Sequence, residues 1–204
     1  MSRYLFGDDV TFHQRLLQAQ GLYGGALDGR WGPKTEAADC EFERRGAALC
    51  VLGVFEARSE RLIAGLHLKA QAAARRLLAL AAGAGFAARV ISGTRSYAEQ
   101  NRLYAQGRYG QAGPRVTNAK GGQSNHNFGI AWDIGLFDAE GRYLNGDTVA
   151  EISEYRRLGE AARPLALEWG GDWRGIIDVP HYQLPTGLAV AETRRKFEVG
   201  EAYV

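Results

Sequence analysis

The stretch Ser124-Asn125-His126-Asn127-Phe128-Gly129-Ile130-Ala131-Trp132-Asp133 holds the clearest change of pattern in the chain. Up to Gly129 it is polar and loop-like. From Gly129 to Phe137 the residues alternate with a period of two, which predicts a strand packed on a core. Asp138-Ala139-Glu140-Gly141 then reads as a hairpin turn, and Arg142 to Leu144 as the segment that pairs back. Phe86 to Ser92 upstream and Val179 to Leu184 downstream read as two further short strands.

Helical patterns lie between and before these strands. Arg58 to Leu80 carries Leu62, Ile63, Leu66, Ala70, Ala73 and Leu77 at helical spacing and predicts one long helix, stopped by Gly83 and Gly85. Ser96-Tyr97-Ala98-Glu99 has capping-box form and opens a helix to about Gln106. Thr148 to about Arg163 is helical, closed by Pro164, and Glu168 to Trp173 follows as a loop. Gln106 to Gln123 is polar and Gly-rich, long for a plain connection, and reads as a mobile loop beside a site. Helices mixed with antiparallel hairpins make the expected fold α+β, a small antiparallel sheet with flanking helices.

The first 50 residues differ in character. Phe12, Leu16 and Leu17 form an amphipathic helix, Tyr23-Gly24-Gly25 a turn, and Asp28-Gly29-Arg30-Trp31-Gly32-Pro33 a second turn before a helix from Lys34 that carries Ala38 and Phe42. Residues 1–52 are therefore read as a small all-helical module and residues 53–204 as the main domain.

Composition sets the bounds. The 204 residues are 46% hydrophobic and 24% charged, enough for one sizeable core plus a small module. A net charge of +2 is a mild bias toward anionic polymers and identifies none; no nucleic-acid partner is expected. No apolar run reaches the roughly 18 residues that span a bilayer, and Asp8 and Asp9 interrupt Met1 to Val10 where a signal peptide needs apolar residues. The expectation is a protein made in the cytoplasm without membrane insertion. Cys40 and Cys50, read as sharing one helix, would stand about 15 Å apart, beyond the roughly 7 Å a disulfide allows, so both are expected as free, buried thiols.

Four histidines occur. His13 and His67 fall within helical patterns, where a surface or packing role is expected. His126 is followed seven positions on (133 − 126) by Asp133, a carboxylate between apolar neighbours that needs a cation or donors. The turn at Gly129 lets the two converge, and small Ala131 leaves room for an ion. Such N and O donors suit Zn2+, and a catalytic site needs a third ligand plus an open position for water. His181 is the candidate third ligand. Asp178, three residues earlier in an extended segment, reaches toward the water position as a general base. Arg95, at the turn after the Phe86–Ser92 strand, is placed to hold a carbonyl or its developing oxyanion.

Ser124-x-His126-x-x-Gly129-x-Ala131-x-Asp133 resembles the motif of the zinc D-Ala-D-Ala and L-Ala-D-Glu metallopeptidases, the M15-type family that includes vancomycin-resistance dipeptidases and phage endolysins. Ser92-Gly93-Thr94-Arg95-Ser96 with Gln100, Trp169-Gly170-Gly171-Asp172-Trp173, and Asp178-Val179-Pro180-His181-Tyr182 match further motifs of that family in order. The resemblance implies a Hedgehog/DD-peptidase-like fold, His126, Asp133 and His181 as zinc ligands, Asp178 as base and Arg95 as the polarising residue. It also implies that Ser124, Gln100, Trp169 and Trp173 meet substrate. The Asp base and the Trp-Gly-Gly-Asp-Trp segment resemble the endolysin branch, which cuts between L-alanine and D-glutamate. Residues 10–49 resemble the helical peptidoglycan-binding domain, which implies wall contacts by Tyr23, Asp28 and Trp31. Asp39 departs from that pattern, where an apolar residue is usual.

Three functions are consistent with these residues. The first is a zinc L-alanyl-D-glutamate endopeptidase acting as a monomer on the peptidoglycan stem peptide and glycan. It would work in the periplasm or wall, released by a holin or a dedicated secretion route. The second is a D-alanyl-D-alanine carboxypeptidase. The third is a catalytically silent wall-binding protein with a structural metal.

Overall fold

A computed structural model describes residues 7–204. The first six residues, which open the expected helical module and the segment judged against a signal peptide, lie outside the described residues. The chain is α+β and groups into two compact units.

One unit comprises residues 46–93 and 130–185 and holds the sheet. Its strands are β1 (Ala87–Ser92), β2 (Ala131–Phe137), β3 (Tyr143–Leu144), β4 (Glu168–Trp169) and β5 (His181–Gln183). They run in the order β1-β2-β5-β4, with β3 also on β2, and every pairing is antiparallel. The period-two pattern of β2 has its expected effect: Trp132, Ile134 and Leu136 point into the core, and Asp133 lies on the opposite face. Gly135, on Asp133's face, allows close packing, since a Cβ there would stand 2.7 Å from the Ile91 side chain and 2.9 Å from Tyr143. Tyr155 of α6 (Val149–Ala161) locks the hairpin: its hydroxyl accepts from Leu136 N at 3.1 Å and donates to Leu144 O at 2.6 Å.

The predicted long helix is two. α3 (Ala57–Ala64) stops at Gly65, and α4 (Leu68–Gly83) starts after His67, whose Nδ1 accepts from Lys69 N at 3.2 Å as an N-cap. Ile63 and Leu66 still reach the common core, so the apolar spacing survives a break that redirects the backbone. Arg75 of α4 then ties the pair together, donating to both carboxylate oxygens of Glu60 at 2.8 and 2.7 Å and to Gly53 O at 2.7 Å. Two further expectations are corrected. Cys50 lies in the short 3-10 turn Leu49–Leu52 beyond α2 (Pro33–Ala48), so the two cysteines do not share one α-helix. Both are free, but Cys40 is exposed and Cys50 half-buried rather than buried. The loop expected at 168–173 contains β4, an edge strand on β5.

The other unit holds α1 (Gly7–Ala19), most of α2, α5 (Tyr97–Ala105), α7 (Val190–Glu198) and the 106–129 segment. The α1–α2 pair is organised around the buried Gln14 amide. Its Oε1 accepts from Gly29 N at 3.0 Å, and its Nε2 lies within 3.2 Å of Tyr23 Oη, Asp28 Oδ1, Arg30 O and Thr35 Oγ1. His13 meets Asp39 at 2.7 Å, which explains the polar residue on the inner face of α2. Phe12 of α1 packs on Phe197 of α7 at 5.1 Å between ring centres, and Phe128 and Tyr203 extend the cluster. The segment expected to be mobile is pinned: Arg108 donates to Tyr104 O, Thr117 O and Asn118 Oδ1, and Gln100 donates to Ala119 O. Among the described residues no helix is long and apolar enough to cross a membrane.

Candidate metal centre

Two of the three expected ligands are placed by strand register. Asp133 of β2 stands directly opposite His181 of β5, so both side chains leave the same face, and Asp133 Oδ1 lies 3.3 Å from His181 Nδ1. On the other side of β2, an irregularity between Val90 and Ser92 of β1 brings Ser92 opposite Asp133.

His126 arrives on the 3-10 turn Asn125–Phe128, which begins after extended Ser124 and ends at Gly129 in the left-handed region (φ 68°). Only glycine adopts that conformation cheaply, which accounts for Gly129 in the opening motif. The turn is held by Asn127, fully buried, whose Nδ2 donates to Arg95 O at 2.9 Å and whose Oδ1 accepts from Gly122 N at 2.9 Å. Arg95 N in turn donates to His126 O at 3.0 Å. The donor atoms of His126, Asp133 and His181 all lie within 4.8 Å of one another, and both histidines are buried.

This donor set fits a metal: two imidazoles and one carboxylate are the ligand types of an open catalytic site. Burial on its own lowers the pKa of His181. The Asp133 carboxylate, with Gln183 and Asp178, outweighs it and holds the imidazole above its usual value. A metal ion would meet a proton as its competitor here.

The remaining expected residues are distributed unevenly. Arg95 Nη2 lies 3.3 Å from His126 Nε2. A guanidinium only donates, so that nitrogen carries a lone pair. Arg95 Nη1 donates to the buried Gln100 Oε1 at 3.3 Å, so Gln100 orients the arginine. Asp178 is half-buried. Its carbonyl accepts from His181 N at 3.1 Å, and its N–H donates to Gly170 O at 3.1 Å.

Trp173 is 38% exposed with its ring 4.9 Å from that of His181, a wall beside the ligands. Trp169 is placed differently from a cleft wall. It is 5% exposed, stacks on Tyr182, and donates from Nε1 to Val179 O at 2.8 Å within the core. The glycines between the two tryptophans follow from this packing. A Cβ on Gly170 would stand 2.3 Å from Asp178 O, and one on Gly171 2.3 Å from the Trp169 ring. Asp172 is held by Arg163, which keeps its carboxyl below the usual range.

Tyr23, Asp28 and Trp31 lie apart from these residues in the chain, in the α1–α2 region. A cavity of about 250 Å³ there is lined by Tyr23, Asp28, Arg30, Lys34 and Thr35. Tyr23 is buried with its hydroxyl donating to Ala26 O, whereas Trp31 donates to Glu36. The sequence reading passed over Asn127 and Gln183. The second carried a usable signal, since Gln183 is two residues from His181 on a strand and so shares its face.

Residues 117–184 match a family model described as D-alanyl-D-alanine carboxypeptidase. These residues are similar to a peptidase domain of the M15 family. M15 peptidases are metallopeptidases, and His126, Asp133 and His181 all lie within the matched residues. The chain is also similar to the peptidoglycan L-alanyl-D-glutamate endopeptidase CwlK of Bacillus subtilis (strain 168), 38% identical over 113 residues. The alignment covers 53% of this chain and 66% of CwlK, just under two thirds of that relative's length. The crystal structure of the Serratia marcescens L-Ala D-Glu endopeptidase ChiX matches over 65% of this chain and 90% of its own, at 27% identity and a TM-score of 0.48.

Proposed function

We propose that the chain is a zinc-dependent endopeptidase that hydrolyses the L-alanyl-D-glutamate bond of peptidoglycan stem peptides. The observation that carries the reading is the convergence of buried His126 and His181 with half-buried Asp133, offering two N donors and one O donor, in a chain similar to an L-alanyl-D-glutamate endopeptidase. Zinc held by these three would supply Lewis acidity, polarising the scissile carbonyl and acidifying water.

The chain's own groups take the other tasks. Arg95, steadied by Gln100, donates to the carbonyl oxygen as charge develops there. Asp178 accepts the proton of the attacking water and returns it to the leaving amine. Trp173 closes one side against solvent. Residues 1–52 serve as a wall-binding module with Tyr23, Asp28 and Trp31 at its contact surface. The protein acts as a monomer in the wall or periplasm, reached through a holin or a dedicated secretion route, as an endolysin does.

A second reading, a D-alanyl-D-alanine carboxypeptidase, is favoured by the description of the matching family model. Mass spectrometry of muropeptides digested with zinc-loaded protein separates the two. New D-glutamate amino termini are expected; free D-alanine without them sinks the first reading and supports the second. Asp178→Asn is expected to keep its zinc and lose roughly 10² to 10⁴ in rate.

A further inference from the structure

His181 has two ring nitrogens, and its neighbours treat them differently. Nδ1 faces Asp133 Oδ1 at 3.3 Å, whereas Nε2 lies 3.0 Å from Oε1 of Gln183. Gln183 follows two positions after His181 on β5, on the same face, and both are buried. Its cross-strand partner in the β4–β5 register is Glu168, and Gln183 Nε2 donates to the Glu168 carboxylate.

That last bond orients the amide. An ionised carboxylate only accepts, so the Gln183 amino group must face Glu168 and its carbonyl oxygen must face His181. A carbonyl oxygen also only accepts, so His181 Nε2 must carry a proton. The neutral imidazole then has its lone pair on Nδ1, the nitrogen on the side of Asp133. We infer that Gln183, oriented by Glu168, is a positioning residue that holds His181 in the Nε2–H tautomer and so presents Nδ1 to the metal. The inference rests on the reading of His126, Asp133 and His181 as metal ligands.

With Gln183 gone, Nε2–H loses its acceptor, and the proton can sit on Nδ1, where it blocks the lone pair a metal requires. Partners of this kind typically contribute about 10- to 100-fold in metal affinity. Glu168 acts one step further out: without it the amide can turn its amino group toward His181 and stabilise the other tautomer.

The test measures zinc affinity of the full chain by chelator competition, together with thermal unfolding of the metal-free protein and the ¹⁵N signature of His181. Gln183→Met is expected to weaken zinc binding about 10- to 100-fold while the metal-free protein melts close to wild type. Glu168→Leu is expected to shift affinity in the same direction by less. The exchanged pair, Glu168→Gln with Gln183→Glu, keeps an acceptor facing Nε2 and is expected to recover most of the loss. In the zinc-loaded wild type the His181 proton should be found on Nε2.

Unchanged affinity in a folded Gln183→Met, or a proton on Nδ1 in the loaded protein, overturns the inference. Should Gln183→Met fail to fold, Glu168→Leu and the ¹⁵N spectrum decide alone. A wild type that takes up no zinc overturns the metal reading itself, a result the variants cannot mimic.

Discussion

His67 gives the protein a calculable sensitivity to acid. The side chain is 5% exposed at the N-cap of α4, where Nδ1 must keep a lone pair for Lys69 N. Burial, reinforced by the Lys69 charge, pulls its pKa from 6.5 down to about 4. The folded state thus resists a proton that the unfolded chain accepts from about pH 6.5 downward. The neutral side chain's contribution is complete above pH 6.5 and is lost as pH falls toward 4. At pH 4.5 the deficit is about 2 pH units × 1.36 kcal/mol, or roughly 2.7 kcal/mol.

For a chain of this size each kcal/mol moves Tm by about 2–4 °C, so His67 should account for roughly 5–11 °C of acid lability. His67→Asn retains a capping side chain that does not titrate. Melting both proteins in chelator between pH 7.5 and 4.5 isolates the term, because any packing defect of the variant displaces its whole curve without altering its slope. Curves that run parallel across that interval would refute the reasoning.

Other perturbations address the site. Asn127→Ala strands Gly122 N and Arg95 O in the interior, which should cost about 2–4 kcal/mol, read as a fall in Tm of roughly 4–16 °C, and should loosen zinc binding at the adjacent His126. Gly170→Ala forces a methyl group onto the Asp178 carbonyl, so activity should drop and stability should fall by about 1–3 kcal/mol, while Gly175→Ala, with open space around it, should melt like wild type. Stripping the metal with a chelator should abolish cleavage and lower Tm; returning zinc at 100 times its Kd should restore about 2.7 kcal/mol.

The grouping of His126, Asp133 and His181 was legible because chemistry and spacing coincided there. His126 and Asp133 are close in sequence, and each is a residue type that rarely sits among apolar neighbours without a reason. Asn127 and Glu168 were not legible, since an amide in a turn or an exposed carboxylate acquires meaning only from what stands opposite it, and Gln183 offered only the face it shares with His181. The break between α3 and α4 escaped notice because Leu62, Ile63 and Leu66 keep helical spacing through it, and histidine is an uncommon cap. Trp-Gly-Gly-Asp-Trp was visible as a motif, but which tryptophan goes inward depends on two close backbone approaches that no spacing rule reveals.

Asp133 and His181 are separated by 48 positions (181 − 133), yet their spacing in the molecule is set by a single rung of the β2–β5 ladder. The chain between them is thereby released from any duty to measure that distance. Its exposed hairpin tip around Asp138–Gly141 is free to lengthen, shorten or change composition over evolutionary time, and the Asp133–His181 pair would not register the change. A single-residue insertion within β2 or β5 is the opposite case: it would turn one ligand to the far face of the sheet and end the site in one step.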